Sequence, residues 1–152
     1  MTYLPLKRPR KGRIYWFMED FTPEQITEIT TSCCNMAQAL NEYQVMHWPE
    51  LSHEQHLDLN AYQNSLLNRA QDFRKQTSRP AFTNVNDIVS GVQQAMSDAK
   101  TCLNYISNTA LALHVGAITV ALAAYVSRAN LRGIHTVLRE LNELLASGIY
   151  KG

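Results

Sequence analysis

The stretch TPEQITEITTSCCNMAQALNEYQVM, residues 22–46, decides the fold class. It opens with a threonine hydroxyl at the N-cap position, a proline at the first helical position and a glutamine three residues after the cap, which together form a capping box. Ile26, Ile29, Cys33, Met36 or Ala37, Leu40 and Tyr43 then recur at three- and four-residue steps and mark one buried stripe. Trp48-Pro49 ends this helix. Ser52-His53-Glu54-Gln55 repeats the capping box, and Leu59, Tyr62, Leu66, Ala70 and Phe73 give a second stripe to about Gln76, broken by Ser78-Arg79-Pro80.

Working outward, a third helix is expected to start between Thr83 and Asn86 and to turn Ile88, Val92, Ala95, Ala99, Leu103 and Ile106 inward. Ser107-Asn108-Thr109 is the polar gap before an apolar segment and reads as a turn or kink, with a continuous helix as the open alternative. From Ala110 to Val126 every face is apolar, and such a helix is expected to be surrounded by protein. A last helix from about Leu131 to Ala146 buries Ile134, Leu138, Leu141 and Leu145 and stops at Gly148. No β alternation interrupts this pattern. The expected fold is therefore all-α, an antiparallel bundle of four to five helices with a central apolar helix. Helices of about 24 residues span ~36 Å, matched in length as bundle neighbours should be.

The chain's 152 residues amount to one domain, divided into an arm over 1–20 and a single helical bundle over 21–152. Formal net charge is +1, from 14 Lys+Arg against 13 Asp+Glu, which at first excludes a strongly basic nucleic-acid binder. That balance is a sum of unlike parts. Five cations, Lys7, Arg8, Arg10, Lys11 and Arg13, stand in the first thirteen residues with no acid, so the remainder is an acidic body. Pro5, Pro9 and Gly12 keep this basic run from holding a helix, which makes it an extended arm. It is followed by the apolar plug Ile14 to Met18, with Tyr15, Trp16 and Phe17 at its centre, expected to dock on the body.

Three cysteines, Cys33, Cys34 and Cys102, do not form a disulfide framework, no Asn-x-Ser/Thr acceptor occurs, and the plug is too short for a signal-peptide core. A cytoplasmic protein is expected. Charged residues are 18% of the chain, below the usual share of about 25%, while Asn and Gln are plentiful; neutral amides lose little on desolvation, so part of the surface reads as meant to be covered.

His47, His53 and His56 lie within ten residues, with Glu50, Glu54 and Asp58 among them, and a borderline divalent metal such as zinc would accept this donor set. The competing reading places His53 and His56 in a polar first turn and His47 at a helix end. His114, alone in the apolar segment, reads as a hydrogen-bonded core residue. Cys33 fits the inward stripe and Cys34 is the more exposed thiol. Single, scattered glycines exclude a phosphate loop, and Glu140 with Glu143 reads as a solvated face, so no enzyme and no organic cofactor is expected. Arg128, Arg132, His135 and Arg139 follow at steps of four, three and four and share one exposed face if the last helix runs through them. Thr109 to Val126 is free of formal charge but shorter than the roughly 20 apolar residues of a typical span, and no membrane partner is expected.

These observations point to a non-catalytic helical protein–protein interaction module of regulatory, adaptor or inhibitor type. Its partner would be another protein or a copy of itself in a homo-oligomer, met through Lys7, Arg8, Arg10, Lys11, Arg13, Tyr15, Trp16, Phe17, Arg128, Arg132 and Arg139. Two alternatives stand beside it: a metal-binding bundle using His47, His53 and His56, and non-specific binding of nucleic acid by the basic arm.

Overall fold

Local signals of the kind just described place most of the helix ends. The computed structural model describes residues 19–75, 81–82 and 84–151, and its fold is all-α. In chain order the elements are β1 (Glu19–Asp20), α1 (Pro23–Met46), α2 (His53–Lys75), β2 (Ala81–Phe82), α3 (Val85–Leu103), α4 (Thr109–Ser127) and α5 (Leu131–Lys151), with one 3-10 turn over Trp48–Glu50. At the start of α1 the Thr22 hydroxyl accepts from the Gln25 amide at 3.1 Å while Gln25 Oε1 accepts from the Thr22 amide at 3.0 Å. Ser52 and Gln55 make the same reciprocal pair before α2, at 3.1 and 2.9 Å. Asn108 caps α4 by accepting from the Leu111 amide at 3.2 Å, so α3 and α4 are separate helices.

Helix α1 packs on α2 and α3, α4 packs on α2 and α5, and α3 packs on α5, which closes a ring of five. Specific contacts give the directions. Gln25 Nε2 donates to Asn86 Oδ1 at 2.7 Å, joining the starts of α1 and α3, and their last turns meet again around Met46, His47 and Leu103. The starts of α2 and α4 are joined by Gln55 Nε2 donating to the Thr109 hydroxyl at 3.3 Å. Gly133, near the start of α5, lies against the Tyr125 ring near the end of α4. The chain therefore reverses at every connection.

One apolar core fills the ring, with Leu40, Leu59, Leu66, Phe73, Leu122 and Ile134 fully buried. Each such side chain contributes about 1.5–3 kcal/mol relative to exposure. Gly116 permits the closest approach of α4 to the α1–α2 pair, since a Cβ there would lie 3.0 Å from Tyr62 Cδ2 and 3.2 Å from Leu40 Cδ2. β1 and β2 pair antiparallel, Glu19 opposite Phe82 and Asp20 opposite Ala81. Phe21 follows this ladder into the core, edge-on to Phe73 at 6.0 Å and against Phe82 at 5.5 Å. The ladder takes the last two residues of the expected arm into the body, and two residues are too few to announce themselves by alternation.

Two other expectations are corrected. Protein does not surround the apolar helix: Val115, Leu122 and Val126 are buried, but Ala110 and His114 are exposed, because α4's main neighbours leave its outer side open. Gly148 does not stop α5, which continues to Lys151; glycine ends a helix only where the chain turns away there. Between α4 and α5 the chain breaks at Arg128 to Asn130. Ala129 takes a left-handed φ of 55°, the Asn130 amide donates to the Tyr125 carbonyl at 3.0 Å, and Asn130 Oδ1 accepts from the Gly133 amide at 2.9 Å.

Candidate functional site

The α1–α2 connection gathers most of the chain's histidines, and its polar groups are largely spoken for by the fold. Gln44, only 3% exposed, donates from Nε2 to His56 Nδ1 at 3.0 Å and to Asn60 Oδ1 at 3.2 Å, and its Oε1 accepts from Gln63 Nε2 at 2.8 Å. The other ring nitrogen of His56 faces the Trp48 carbonyl at 3.2 Å. A neutral ring protonated on Nε2 satisfies both contacts, donating to the carbonyl and accepting from the amide. His47 stacks on Tyr43 with ring centroids 4.1 Å apart, and its Nδ1 lies 2.9 Å from Glu50 Oε1. His53 is the first residue of α2 and is exposed. Each histidine of the expected trio thus has its own surroundings, and among the described residues no three His, Cys, Asp or Glu side chains converge as a metal requires.

Apolar side chains accumulate at this same end. Met46 is 78% exposed, Trp48 56% and Tyr105 69%, with Val45 and Leu57 also open to solvent. Trp48 lies over the His56 ring at 4.0 Å, so its plane is held in place. Beneath Met46, a cavity of about 180 Å³ lies between the last turns of α1 and α3, lined in part by Glu42, Tyr43, His47 and Lys100. The Tyr43 hydroxyl is buried without a hydrogen-bond partner among the described residues. Burial, and secondarily the nearby Glu50 carboxylate, pushes its pKa above the ordinary phenol value.

Of the cationic candidates, Lys7, Arg8, Arg10, Lys11 and Arg13, with the aromatic trio Tyr15, Trp16 and Phe17, lie outside the described residues. Arg128, Arg132, His135 and Arg139 are all exposed, but they do not form one helical stripe: Arg128 caps α4, and only the other three belong to α5. His114 is not a core residue. It lies with Ile118 in an open groove of about 400 Å³ against Glu140, Glu143, Leu144 and Ser147 of α5. The uniform apolarity of α4 hid this, because a helix with no polar side carries no record of which way it is turned.

The thiols follow the expected division, with Cys33 and Cys102 buried, Cys34 half-buried and all three unpaired. Burial first, and the neighbouring Cys34 second, push the Cys33 pKa up to about 12, and burial raises that of Cys102. A buried, protonated thiol is a poor nucleophile, so neither is set up for catalysis. Helix α4 is long and apolar enough by length and composition to cross a membrane, while half of it is buried inside this fold. Set against family models, curated proteins and solved structures, the chain matches none of them.

Proposed function

We propose that this chain is a non-catalytic helical module, an antiparallel bundle bearing a basic arm, that acts in a reducing compartment by binding another protein. The observation that carries the reading is the apolar end formed by Val45, Met46, Trp48, Leu57 and Tyr105. Large apolar side chains left exposed together at one end of a bundle suit a contact surface. Trp48 is already ordered by His56, so it would lose little side-chain freedom on binding. Three unpaired thiols agree with the compartment. The cations of the arm would add long-range attraction for an acidic partner.

The test is co-purification from the native cell with the intact chain, with Met46→Asp and with residues 1–13 removed. Met46→Asp changes a side chain that is 78% exposed and should leave the fold intact while abolishing partner capture. Removing the cations should weaken capture and flatten its salt dependence. Capture of the same partner, undiminished, by both variants would overturn the proposal. Capture that disappears on nuclease treatment would assign the arm to nucleic acid instead.

A further inference from the structure

The end of the bundle around Met46 carries acids among its exposed apolar side chains. Glu42 stands one turn before Met46, Glu50 two residues after Trp48, and Glu54 and Asp58 to either side of Leu57 in sequence, all four of them exposed. Glu50 faces His47 Nδ1 at 2.9 Å and is still 60% open to solvent. Asp98, exposed on α3 seven residues before Tyr105, adds a fifth carboxylate. The cations within the same distance of these helix ends are Lys100, beside the cavity under Met46, and Lys151, the last residue of α5. Acids therefore outnumber cations here by five to two.

The complement of an acidic, apolar surface is a basic, aromatic segment, and this chain contains one. Lys7, Arg8, Arg10, Lys11 and Arg13 run into Tyr15, Trp16 and Phe17, with no acid before Glu19. Chain length forbids the aromatic trio from serving its own Met46 end. The chain enters at Glu19, where Phe21 packs on Phe73 in the last turn of α2, beside the starts of α1 and α3. Met46 lies the length of the 24-residue α1 away, about 36 Å. Tyr15 is four residues from Glu19, a reach of at most about 14 Å. The surroundings of the entry are a poorer match. Glu24, Glu28 and Asp87 are exposed there, but so are Arg74, Lys75, Arg128 and Arg132, and the charge is mixed. Leu67 and Leu131, the other large apolar side chains exposed among the described residues, stand on helices that are not neighbours in the ring.

We infer that residues 7–17 of one copy dock on the Met46 end of a second copy. The three rings settle among Met46, Trp48, Leu57 and Tyr105, each burying up to about 150–250 Å², and the cations meet the flanking carboxylates. The contact joins unlike surfaces, so it runs head to tail: a bound pair still offers one free arm and one free seat, and association continues past two copies unless a ring closes.

Sedimentation equilibrium of the full chain tests this. At micromolar concentration the wild type should show an average mass above the chain's 17.2 kDa, rising with concentration and falling as salt is raised. Met46→Asp, at a side chain 78% exposed, should weaken association about tenfold or more, and so should the triple variant Tyr15→Ala, Trp16→Ala, Phe17→Ala. Each alone should then run as a monomer. An equimolar mixture of the two should form a dimer of one copy of each and nothing larger, because the first brings an intact arm and the second an intact seat. A monomeric wild type, a variant that associates as the wild type does, or a mixture that stays monomeric overturns the proposal. So does a triple variant whose Tm falls while its mass matches the wild type, which would give the rings to their own bundle, or association lost on nuclease treatment, which would give the arm to nucleic acid. The inference deepens the binding reading and rests on it, since both use the Met46 end, yet the two fail separately. A chain that stays monomeric alone but captures a different protein from the native cell, with capture lost in Met46→Asp, overturns this inference and leaves the earlier reading standing.

Discussion

Replacing Gln44 by leucine isolates what the polar seam between α1 and α2 contributes. Leucine is similar in size and fits a site that is 3% exposed, so the change removes three hydrogen bonds with little loss of packing. The partners differ in what they lose. Asn60 is exposed and turns to water at little cost, whereas His56 and Gln63 are half-buried and keep part of their desolvation penalty. Taking about 1–1.5 kcal/mol for each of those two gives about 2–3 kcal/mol, offset by about 1 kcal/mol from the added apolar burial. The net destabilisation is about 1–2 kcal/mol, and for a chain of this size each kcal/mol lowers Tm by about 2–4 °C. Thermal unfolding followed by circular dichroism should therefore show a fall of about 2–8 °C. The exposed Gln38, which bonds only to Glu42 at 3.3 Å, serves as control, and its alanine variant should stay within about 0.5 kcal/mol of wild type. A Gln44→Leu protein as stable as wild type, or more so, would refute the reasoning: the seam would then fix the register of the hairpin without stabilising it.

Two glycine substitutions should have opposite signs. Gly91→Ala meets only Leu138 Cδ1 at 3.6 Å, an ordinary contact, and should raise stability by up to about 1 kcal/mol through helix propensity. Gly133→Ala would set its Cβ 2.7 Å from two carbons of the Tyr125 ring, and overpacking of about 1–3 kcal/mol should outweigh the same gain. Urea titrations of both variants check this. Alkaline pH should destabilise the fold. The Cys33 thiol stays protonated in the folded state up to about 12, while in the unfolded chain it ionises from about 9, so its contribution is complete below that range and lost as pH rises through it. Stability should fall by up to about tenfold in the folding constant per pH unit over that window, and Cys33→Ala should flatten the slope. A profile unchanged by that substitution would count against the assignment.

What could be read in advance were the features that residues settle with their immediate neighbours. The capping boxes at Thr22 and Ser52 and the apolar steps from Ile26 to Tyr43 are of this kind, and α1 and α2 begin where they say. What escaped depends on distant parts of the chain. Ala129 adopts its left-handed turn with neither glycine nor proline to signal it, so whether Arg128 shares a face with Arg132, His135 and Arg139 stayed conditional on a continuity that the turn removes. The direction of His114 follows from which side of α4 the ring leaves open, and the helix itself is silent on that. The abundance of amides pointed to surface awaiting a cover. Gln63, half-buried, finds part of its cover within the fold, on Gln44.

Five helices that reverse at each turn make an odd number, and oddness has a practical result. The chain enters the bundle at Glu19, beside the start of α3, and α5 leaves at the opposite end. A linker from Lys151 directly back to Glu19 would have to span the length of a 21-residue helix, about 32 Å, or roughly ten extended residues. Permutants that open the chain at an interhelical turn and rejoin it at Glu19 should therefore depend sharply on linker length.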